Sequence, residues 1–184
     1  MAILKHISVK NRFYSSAVEY LTCQFDEYTN KPVLDEKGRI QERENYLIVG
    51  VNCDVDSFGA ECIEVNRLYG KNNSVKDVKA HHYIISFEPN DPITIEQALE
   101  FGKQWLSVFA PGHQAVVAVH PDGHNGSQNM HVHMVINSVR KYAGKQSRWH
   151  EKPCEWKLGC KHKSTGKMMF HAKKWVMEKC IRLG

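Results

Sequence analysis

The sequence of 184 residues has no apolar run that approaches membrane-spanning length, and its first residues show no signal-peptide pattern. It has no internal repeat, and its six cysteines are scattered rather than regularly spaced. Such cysteine usage is not typical of a disulfide framework and favours reduced thiols in a cytoplasm. With 42% hydrophobic and 24% charged residues, the composition is that of a globular protein with a substantial core.

Acidic residues become scarce towards the C-terminus. From Arg140 onward there are 13 Lys or Arg against 3 Asp or Glu, whereas residues 1–139 carry 12 basic and 17 acidic residues. A basic segment of this kind favours a polyanionic ligand. Its interleaved aromatic residues could stack on bases or fold into a small subdomain, although a solvated, partly disordered tail is the alternative. We therefore predict a core over 1–140 and a basic, partly helical extension over 141–184.

Strand-like and helix-like patterns alternate along the chain without strict βαβ order. Capping boxes at Ser16 with Glu19 and at Thr94 with Gln97 predict two helix starts. Strands are predicted at 2–9, 46–51, 81–87, 115–119 and 131–137, and helices at 17–25, 57–69, 95–109 and 168–183. The central strand pair is hairpin-like, which favours an α+β fold with an antiparallel sheet.

Three histidines lie on this central pair. His131 and His133 are two residues apart on a strand and therefore share one face, while Val132 and Met134 point to the other. If the preceding run 115–119 pairs antiparallel with this strand, His120 falls opposite His131. The loop 121–130 is long and rich in Gly, Asn and His, which indicates a functional loop. The pattern predicts a three-histidine metal site with open coordination positions.

A metal beside a basic segment suggests phosphodiester chemistry, and the open question is what attacks the phosphorus. Water would make a simple nuclease, whereas a side chain would become covalently attached to the nucleic acid. Among seven tyrosines, Tyr14 is predicted to join the buried stripe of the first helix with Val18. Tyr20 points to the other side of that helix, so it is available to a ligand, although an ordinary surface tyrosine remains the alternative.

The chain resembles the relaxase domain of conjugative and mobilisable elements, in the His-hydrophobic-His endonuclease superfamily, and is closest to the MobP-type group. The matching segments span most of residues 1–140 in the family's order. They are Ala17-Val-Glu-Tyr-Leu-Thr22, His81-His-Tyr-Ile-Ile-Ser-Phe87 and His120-x-Asp122 followed by Asn129-x-His131-Val-His133-x-x-x-Asn137. No motif is matched after Arg140.

The resemblance implies a palm of about five antiparallel strands with flanking helices. It also implies a transesterase that nicks single-stranded DNA at a transfer origin and forms a 5′-phosphotyrosyl bond. The residues that match are Tyr20 as nucleophile, Asp122 as the acidic residue of the third motif, and His120, His131 and His133 as ligands of a divalent ion, Mg²⁺ or Mn²⁺ with Zn²⁺ also accepted.

Two supporting residues and a set of DNA contacts complete the expected site. Asn137 lies on the same strand face as His133, and His124 competes with His120 as third ligand because the loop is longer than the compact motif. The basic residues at the start of the C-terminal segment are candidates for DNA contact: Arg140, Lys141, Arg148 and Lys152. Cys154, Cys160, His162 and His171 have the wrong spacing for a structural zinc site.

The expected partners are single-stranded DNA, with or without an adjacent hairpin, an accessory mobilisation protein and a type IV secretion coupling protein. The expected location is the bacterial cytoplasm, with transfer to a recipient along with the DNA as a further possibility. We also expect the sequence to be the catalytic part of a longer protein. The alternatives are a rolling-circle replication initiator, a single-strand transposase, or a catalytically silent DNA-binding module whose histidines hold a structural ion.

Overall fold

A computed structural model describes residues 2–10, 14–26, 29, 31–121, 129–152 and 154–183. These residues form five strands and four helices. The strands are β1 Ile3–Val9, β2 Leu47–Val51, β3 Ala80–Ser86, β4 His113–His120 and β5 His131–Arg140. The helices are α1 Ser15–Thr22, α2 Phe58–Leu68, α3 Ile95–Phe109 and α4 Gly166–Leu183.

All five strands belong to one sheet in the order β1-β3-β5-β4-β2, and every neighbouring pair is antiparallel. The predicted α+β fold with a five-stranded antiparallel sheet is therefore confirmed. The two strands that carry the histidine motif, β4 and β5, are adjacent and interior, and all eight residues of β4 are buried.

One face of the sheet packs against α3 and α4. Val117, Val132 and Met134 point to this side, where they join a cluster that includes Trp105 of α3. Gly102 lets α3 approach closely, because an added Cβ would lie 2.6 Å from Val132 Cγ1. Alternation along β5 thus places Val132, Met134 and Ile136 in the larger core and directs His131 and His133 to the other face.

The opposite face carries α1 and α2. Here Leu21 and Phe58 pack with Val116, Ala118 and Val135 of the two central strands. This second core is smaller, and His82, His120 and His133 point to its side of the sheet by the same alternation. Helix α1 therefore lies over the histidine-bearing surface.

The two predicted capping boxes have different outcomes. At α3 both reciprocal hydrogen bonds between Thr94 and Gln97 are present, as expected. The box predicted at Ser16 and Glu19 is wrong, since α1 begins one residue before Ser16 and its N-cap, Tyr14, has no side-chain capping bond. The start of α1 is fixed instead by the burial of Tyr14, which is 4% exposed.

The C-terminal helix packs on the main core rather than apart from it. Met168, Ala172 and Val176 of α4 are buried in the same cluster as Trp149. The division into 1–140 and 141–184 stays a prediction. Among the described helices, none combines the length and the apolar character needed to cross a bilayer.

Candidate active site

His120 and His131 pair directly across β4 and β5. Their Cα atoms are register partners, as the hairpin interpretation predicted, and His133 follows two residues later on the same face. The ring centroids of His120 and His133 are 4.6 Å apart, and those of His131 and His133 are 6.2 Å apart. The sheet therefore brings all three imidazoles together.

A fourth imidazole, which the sequence interpretation did not assign to the site, joins this group. His82 on β3 lies beside β5, and its Nε2 shares a hydrogen bond of 3.0 Å with His133 Nδ1. Both rings are almost fully buried. Burial lowers the pKa of His82 to about 4, and burial together with nearby His120 holds the pKa of His133 well below its usual value. Both rings are neutral near pH 7, and this bond engages Nδ1 of His133 and not its Nε2.

His120 also ties the sheet to α1. Its Nε2–H donates a hydrogen bond of 2.8 Å to the backbone carbonyl of Leu21, and the ring is 2% exposed. A neutral imidazole that donates from Nε2 carries its lone pair on Nδ1. The contact fixes the helix end next to Tyr20 against the last residue of β4.

Tyr20 lies over the histidines. Its ring centroid is 6.0 Å from that of His82 and 6.3 Å from that of His133, both edge-on. The side chain is half-buried and lines a cleft of about 370 Å³ together with His82 and Val135. We call this the tyrosine cleft; its other lining residues are Ile7, Val9, Ser16 and Ala17. The expected nucleophile thus shares a solvent-open space with His82, and its ring is also close to that of His133.

Asn137 is fully buried, and its role in the structure is to organise other side chains. Its side-chain nitrogen Nδ2 donates to Gln114 Oε1 over 3.1 Å, and its side-chain oxygen Oδ1 lies 3.3 Å from the hydroxyl of Tyr14. Asp122 and His124, the other two predicted residues of the third motif, lie outside the described residues.

The histidine group fits a divalent ion by donor type and by proximity. Its imidazoles are neighbours, and His133 is neutral, which is the state that binds metal. In the part of the chain that the structure describes, no three His, Cys, Asp or Glu side chains are already arranged as a metal-binding group. Binding of a metal by these histidines, and the identity of that metal, therefore both stay predictions.

The predicted DNA-contact residues occupy very different environments. Arg140 is 1% exposed, and its guanidinium donates to the carbonyl oxygens of Pro111 and Glu155. Burial lowers its pKa to about 10. Arg140 is therefore an interior residue, and we do not include it in a DNA-contacting surface.

Lys141 is half-buried and bridges to α2. Its ammonium donates to Glu61 Oε2 over 2.9 Å and to the carbonyl of Asn52 over 3.0 Å. The backbone N–H of Asp54 and the Lys141 ammonium hold the pKa of Glu61 at about 2. In contrast, Arg148 and Lys152 are exposed. Lys141 could bind a ligand only by giving up its ion pair with Glu61. Among the described residues, Arg148 and Lys152 are the two candidates that are accessible without such a loss.

The chain is similar to proteins of a known family. Residues 28–162 match the family described as "Relaxase: MobA/VirD2-like, nuclease domain". The match includes all the histidines of the group and begins after Tyr20. It covers well over half of the chain, and the chain belongs to this relaxase nuclease family.

The similarity to individual relatives extends over about half of the chain. "Protein rlx" of Staphylococcus aureus is 36% identical over 103 residues, which are 56% of this chain and 30% of that protein. "Group II intron-interrupted relaxase LtrB" of Lactococcus lactis subsp. cremoris (strain MG1363) is 40% identical over 99 residues, which are 53% of this chain and 15% of that protein. The chain therefore spans less than a third of the length of these relatives.

Proposed function

We propose that this chain nicks single-stranded DNA at a transfer origin and becomes attached to it through Tyr20. The observation that carries the proposal is the tyrosine cleft, where Tyr20 lies beside His82 and His133 in a relaxase-family fold. A tyrosine hydroxyl in an open cleft beside neutral imidazoles is suited to act as a nucleophile near groups that could bind a phosphate-activating ion.

The reaction is a transesterification. The Tyr20 oxygen attacks phosphorus after losing its proton, the bond from phosphorus to the 3′ oxygen breaks, and that oxygen leaves as a protonated 3′-hydroxyl. One phosphodiester is exchanged for another, so the bond energy is retained. An incoming 3′-hydroxyl reverses the step and rejoins the strand.

The histidines have distinct roles in this proposal. His120, His131 and His133 would hold a divalent ion, Mg²⁺ or Mn²⁺, with Zn²⁺ as an in vitro substitute. Such an ion polarises a non-bridging phosphoryl oxygen and stabilises negative charge. His82 orients the ring of His133 through their hydrogen bond, as partners of metal-binding histidines commonly do.

Asp122 is proposed to orient a histidine or to accept the tyrosine proton, with His124 as an alternative to His120. The strand would continue along exposed basic residues of the C-terminal segment, Arg148 and Lys152, and Lys141 if its ion pair with Glu61 opens. A DNA hairpin, an accessory mobilisation protein, a secretion coupling protein and the bacterial cytoplasm complete the proposed setting.

The test is a covalent adduct. The protein is incubated with Mn²⁺ and single-stranded DNA from the neighbourhood of its own gene, and the products are separated under denaturing conditions. We expect a DNA–protein adduct that survives detergent, and peptide mass spectrometry that places the phosphate on Tyr20. Tyr20→Phe removes the adduct. The matched control is Tyr142→Phe, because Tyr142 is 51% exposed and lies outside the tyrosine cleft.

The outcomes separate the rival mechanisms. Cleavage without attachment would replace the tyrosine mechanism by a water-using nuclease. Tight binding without cleavage of a strand known to contain the origin would favour a catalytically silent binding module. A replication initiator or a single-strand transposase would form the same adduct but release different DNA products, which sequencing of the cleaved and rejoined strands identifies.

A further inference from the structure

The floor of the tyrosine cleft is a single row of side chains across three strands. Val135 of β5 is the register partner of His82 of β3, and His82 is the register partner of Ile7 of β1. All three residues line the cleft. Neighbouring strands are about 4.8 Å apart, so the row is about 10 Å long. This length is sufficient for a flat heterocyclic ring to lie along the row.

The outer part of this floor is open because α1 packs over the central strands and not over the edge strand β1. Leu21 of α1 is fully buried in the cluster that contains Val116 and Ala118 of β4. Ile7 points to the same face of the sheet but is 50% exposed. Ile7 therefore presents apolar surface that a molecule entering the cleft can cover.

The lining of the cleft does not suit a phosphate. Ile7, Val9, Ala17 and Val135 are apolar, and none of the described residues that line the cleft is Lys, Arg, Asp or Glu. A phosphate would lose water here without gaining a cation, which is unfavourable. A base would instead bury its faces against apolar side chains. The volume of about 370 Å³ lies in the range of pockets that hold small organic groups and is sufficient for one nucleoside.

The proposed ion ligands lie beyond one end of the cleft. His133 and Val135 are two residues apart on the same face of β5, a distance of about 7 Å along the strand. Tyr20 borders both places, since it lines the cleft and its ring is close to that of His133. A phosphate attacked by Tyr20 would therefore lie next to the cleft and not inside it, at a distance that a sugar can bridge.

The direction of attack decides which of the two nucleosides at that phosphate is near the cleft. The entering Tyr20 oxygen and the leaving 3′ oxygen lie roughly in line, on opposite sides of phosphorus. The nucleoside on the 5′ side of the nick carries the leaving oxygen and therefore lies across the phosphorus from Tyr20. The nucleoside on the 3′ side is joined through its 5′ oxygen, which is not on that line, and it stays on the phosphorus that Tyr20 has attacked.

We infer that the tyrosine cleft holds the base of the first nucleotide on the 3′ side of the nick, packed against Ile7 and Val135. The inference rests on the proposed function for the chemistry at Tyr20 and deepens it by assigning one nucleotide to one cleft. Apolar contacts with the faces of a ring do not distinguish the polar edges of the four bases. The cleft therefore requires that a base is present more than it selects which base.

An abasic scan tests the position. The Tyr20→Phe protein, which does not cleave, is titrated with strands that carry one abasic site each, and the nick is located separately from the wild-type adduct. An abasic site at the first nucleotide on the 3′ side of the nick should lower the affinity about tenfold. Exchange of that base for another natural base should change the affinity by less than about threefold. A larger effect of base identity than of base removal would overturn the inference.

A second variant tests whether Ile7 makes this contact. In the same background, Ile7→Ala should weaken binding of the intact strand about fivefold and reduce the tenfold abasic effect to about twofold. The matched control is Ile3→Ala, because Ile3 is 58% exposed on the same face of β1 but does not line the cleft. Ile3→Ala should leave the abasic effect unchanged. An unchanged abasic effect in Ile7→Ala, or coupling of Ile7 to a nucleotide on the 5′ side, would contradict the inference.

Methyl NMR observes the cleft without any cleavage. With ¹³C-labelled isoleucine methyl groups, the signal of Ile7 should shift when the intact strand binds, and much less with the strand that is abasic at the assigned position. If the adduct forms on Tyr20 but no abasic position is coupled to Ile7, the inference fails alone. If no adduct forms while one position is coupled to Ile7 and its methyl signal shifts, the cleft is a base site and the tyrosine mechanism fails.

Discussion

His82 and His133 form a direct imidazole–imidazole hydrogen bond of 3.0 Å on adjacent strands, and the ring of Tyr20 lies edge-on to both. The bond takes Nδ1 of His133 and so determines which of its nitrogens faces a ligand. His82 is therefore a positioning residue in the proposed reaction rather than a group that touches the phosphate.

Replacing His82 should weaken metal binding and slow adduct formation without removing either. We expect His82→Ala to lower the adduct rate about 10- to 100-fold and to raise the Mn²⁺ concentration for half-maximal rate, because His133 loses its orienting partner. His82→Gln, which can still bond to Nδ1, should recover part of both. The rate is measured against Mn²⁺ concentration on a fixed DNA strand.

The control for this experiment is the second histidine pair of the sheet. His6 Nε2 and His81 Nδ1 are 2.9 Å apart, on β1 and β3 and on the face away from Tyr20. His6→Gln should leave the Mn²⁺ dependence unchanged. A His82→Ala enzyme with normal Mn²⁺ dependence would show that the His82–His133 bond has only a structural role.

His120 has an observed contact with the carbonyl of Leu21 and a proposed role as a metal ligand, and substitution can separate the two. His120→Gln can still donate a hydrogen bond to the Leu21 carbonyl but lacks the imidazole, so we expect a folded protein that forms no adduct. His120→Ala loses both and should be destabilised by about 1–3 kcal/mol, because the buried carbonyl of Leu21 loses its donor. Urea unfolding gives the stability, and the denaturing gel gives the adduct.

A normal adduct in His120→Gln would mean that His120 is not a metal ligand, and the alternative of His124 would take its place. Equal stability of the two variants would instead show that the contact with Leu21 contributes little to holding α1.

The hydroxyl of Tyr14 should matter for stability but not for nucleophilic attack. It accepts from Asn66 and donates to the carbonyl of Lys79 over 2.9 Å, and burial raises its pKa far above the ordinary value. Tyr14→Phe leaves the Asn66 amide without its acceptor and should cost about 1–3 kcal/mol in the free energy of unfolding. Phosphotyrosine mapping should still place the DNA on Tyr20; attachment that disappears from a folded Tyr14→Phe protein would assign the nucleophile to Tyr14.

Acid should destabilise the fold through buried histidines outside the active site. Burial, and then the charge of Arg140, lower the pKa of His113 to about 3, and burial holds the pKa of His162 well below its usual value. These rings are neutral in the folded protein and take up protons at about pH 6.5 when unfolded. Their stabilising contribution is full above pH 6.5 and is lost as the pH falls towards 3.

The measurement is the free energy of unfolding in urea at several pH values between 7.5 and 4.5. Each such histidine should contribute a slope of up to about 1.4 kcal/mol per pH unit below pH 6. His113→Asn keeps a donor for the carbonyl of Asn137, which the His113 ring now contacts at 2.9 Å, and should reduce the slope by about that amount. His171→Gln, on α4, should reduce the slope less, because burial and nearby cations lower the pKa of His171 by less than that of His113. Parallel curves for wild type and His113→Asn would contradict the argument.

The sequence was informative where the relevant spacing is local. The facing positions of His120 and His131 follow from the two-residue period of strands and from one hairpin, and the structure has this register. The burial of Tyr14 also follows from the apolar stripe of a single helix. These predictions needed no knowledge of how distant segments meet.

Contacts between distant segments could not be predicted in the same way. His82 reaches His133 only because β3 pairs with β5 in one particular register, which sets Val135 opposite His82. A count of charged residues after residue 139 also does not predict burial. Arg140 is an interior residue whose guanidinium donates to main-chain carbonyls. The adjacent pair His81-His82 is a sequence signal for a fourth histidine in the candidate site. Side chains alternate along a strand, so one of the two rings lies on the face that carries the other histidines.

The eight-residue helix that carries Tyr20 is attached near both ends to the interior of the sheet. Tyr14 contacts Lys79 and Asn137 at its beginning, and the carbonyl of Leu21 meets His120 at its end. If a DNA strand joined to Tyr20 is pulled, the tension passes through these anchors into β4, into β5 and into the residue that directly precedes β3, and these are the three interior strands rather than an edge strand. The proposed attachment point for the strand is thus mechanically coupled to the buried interior of the sheet.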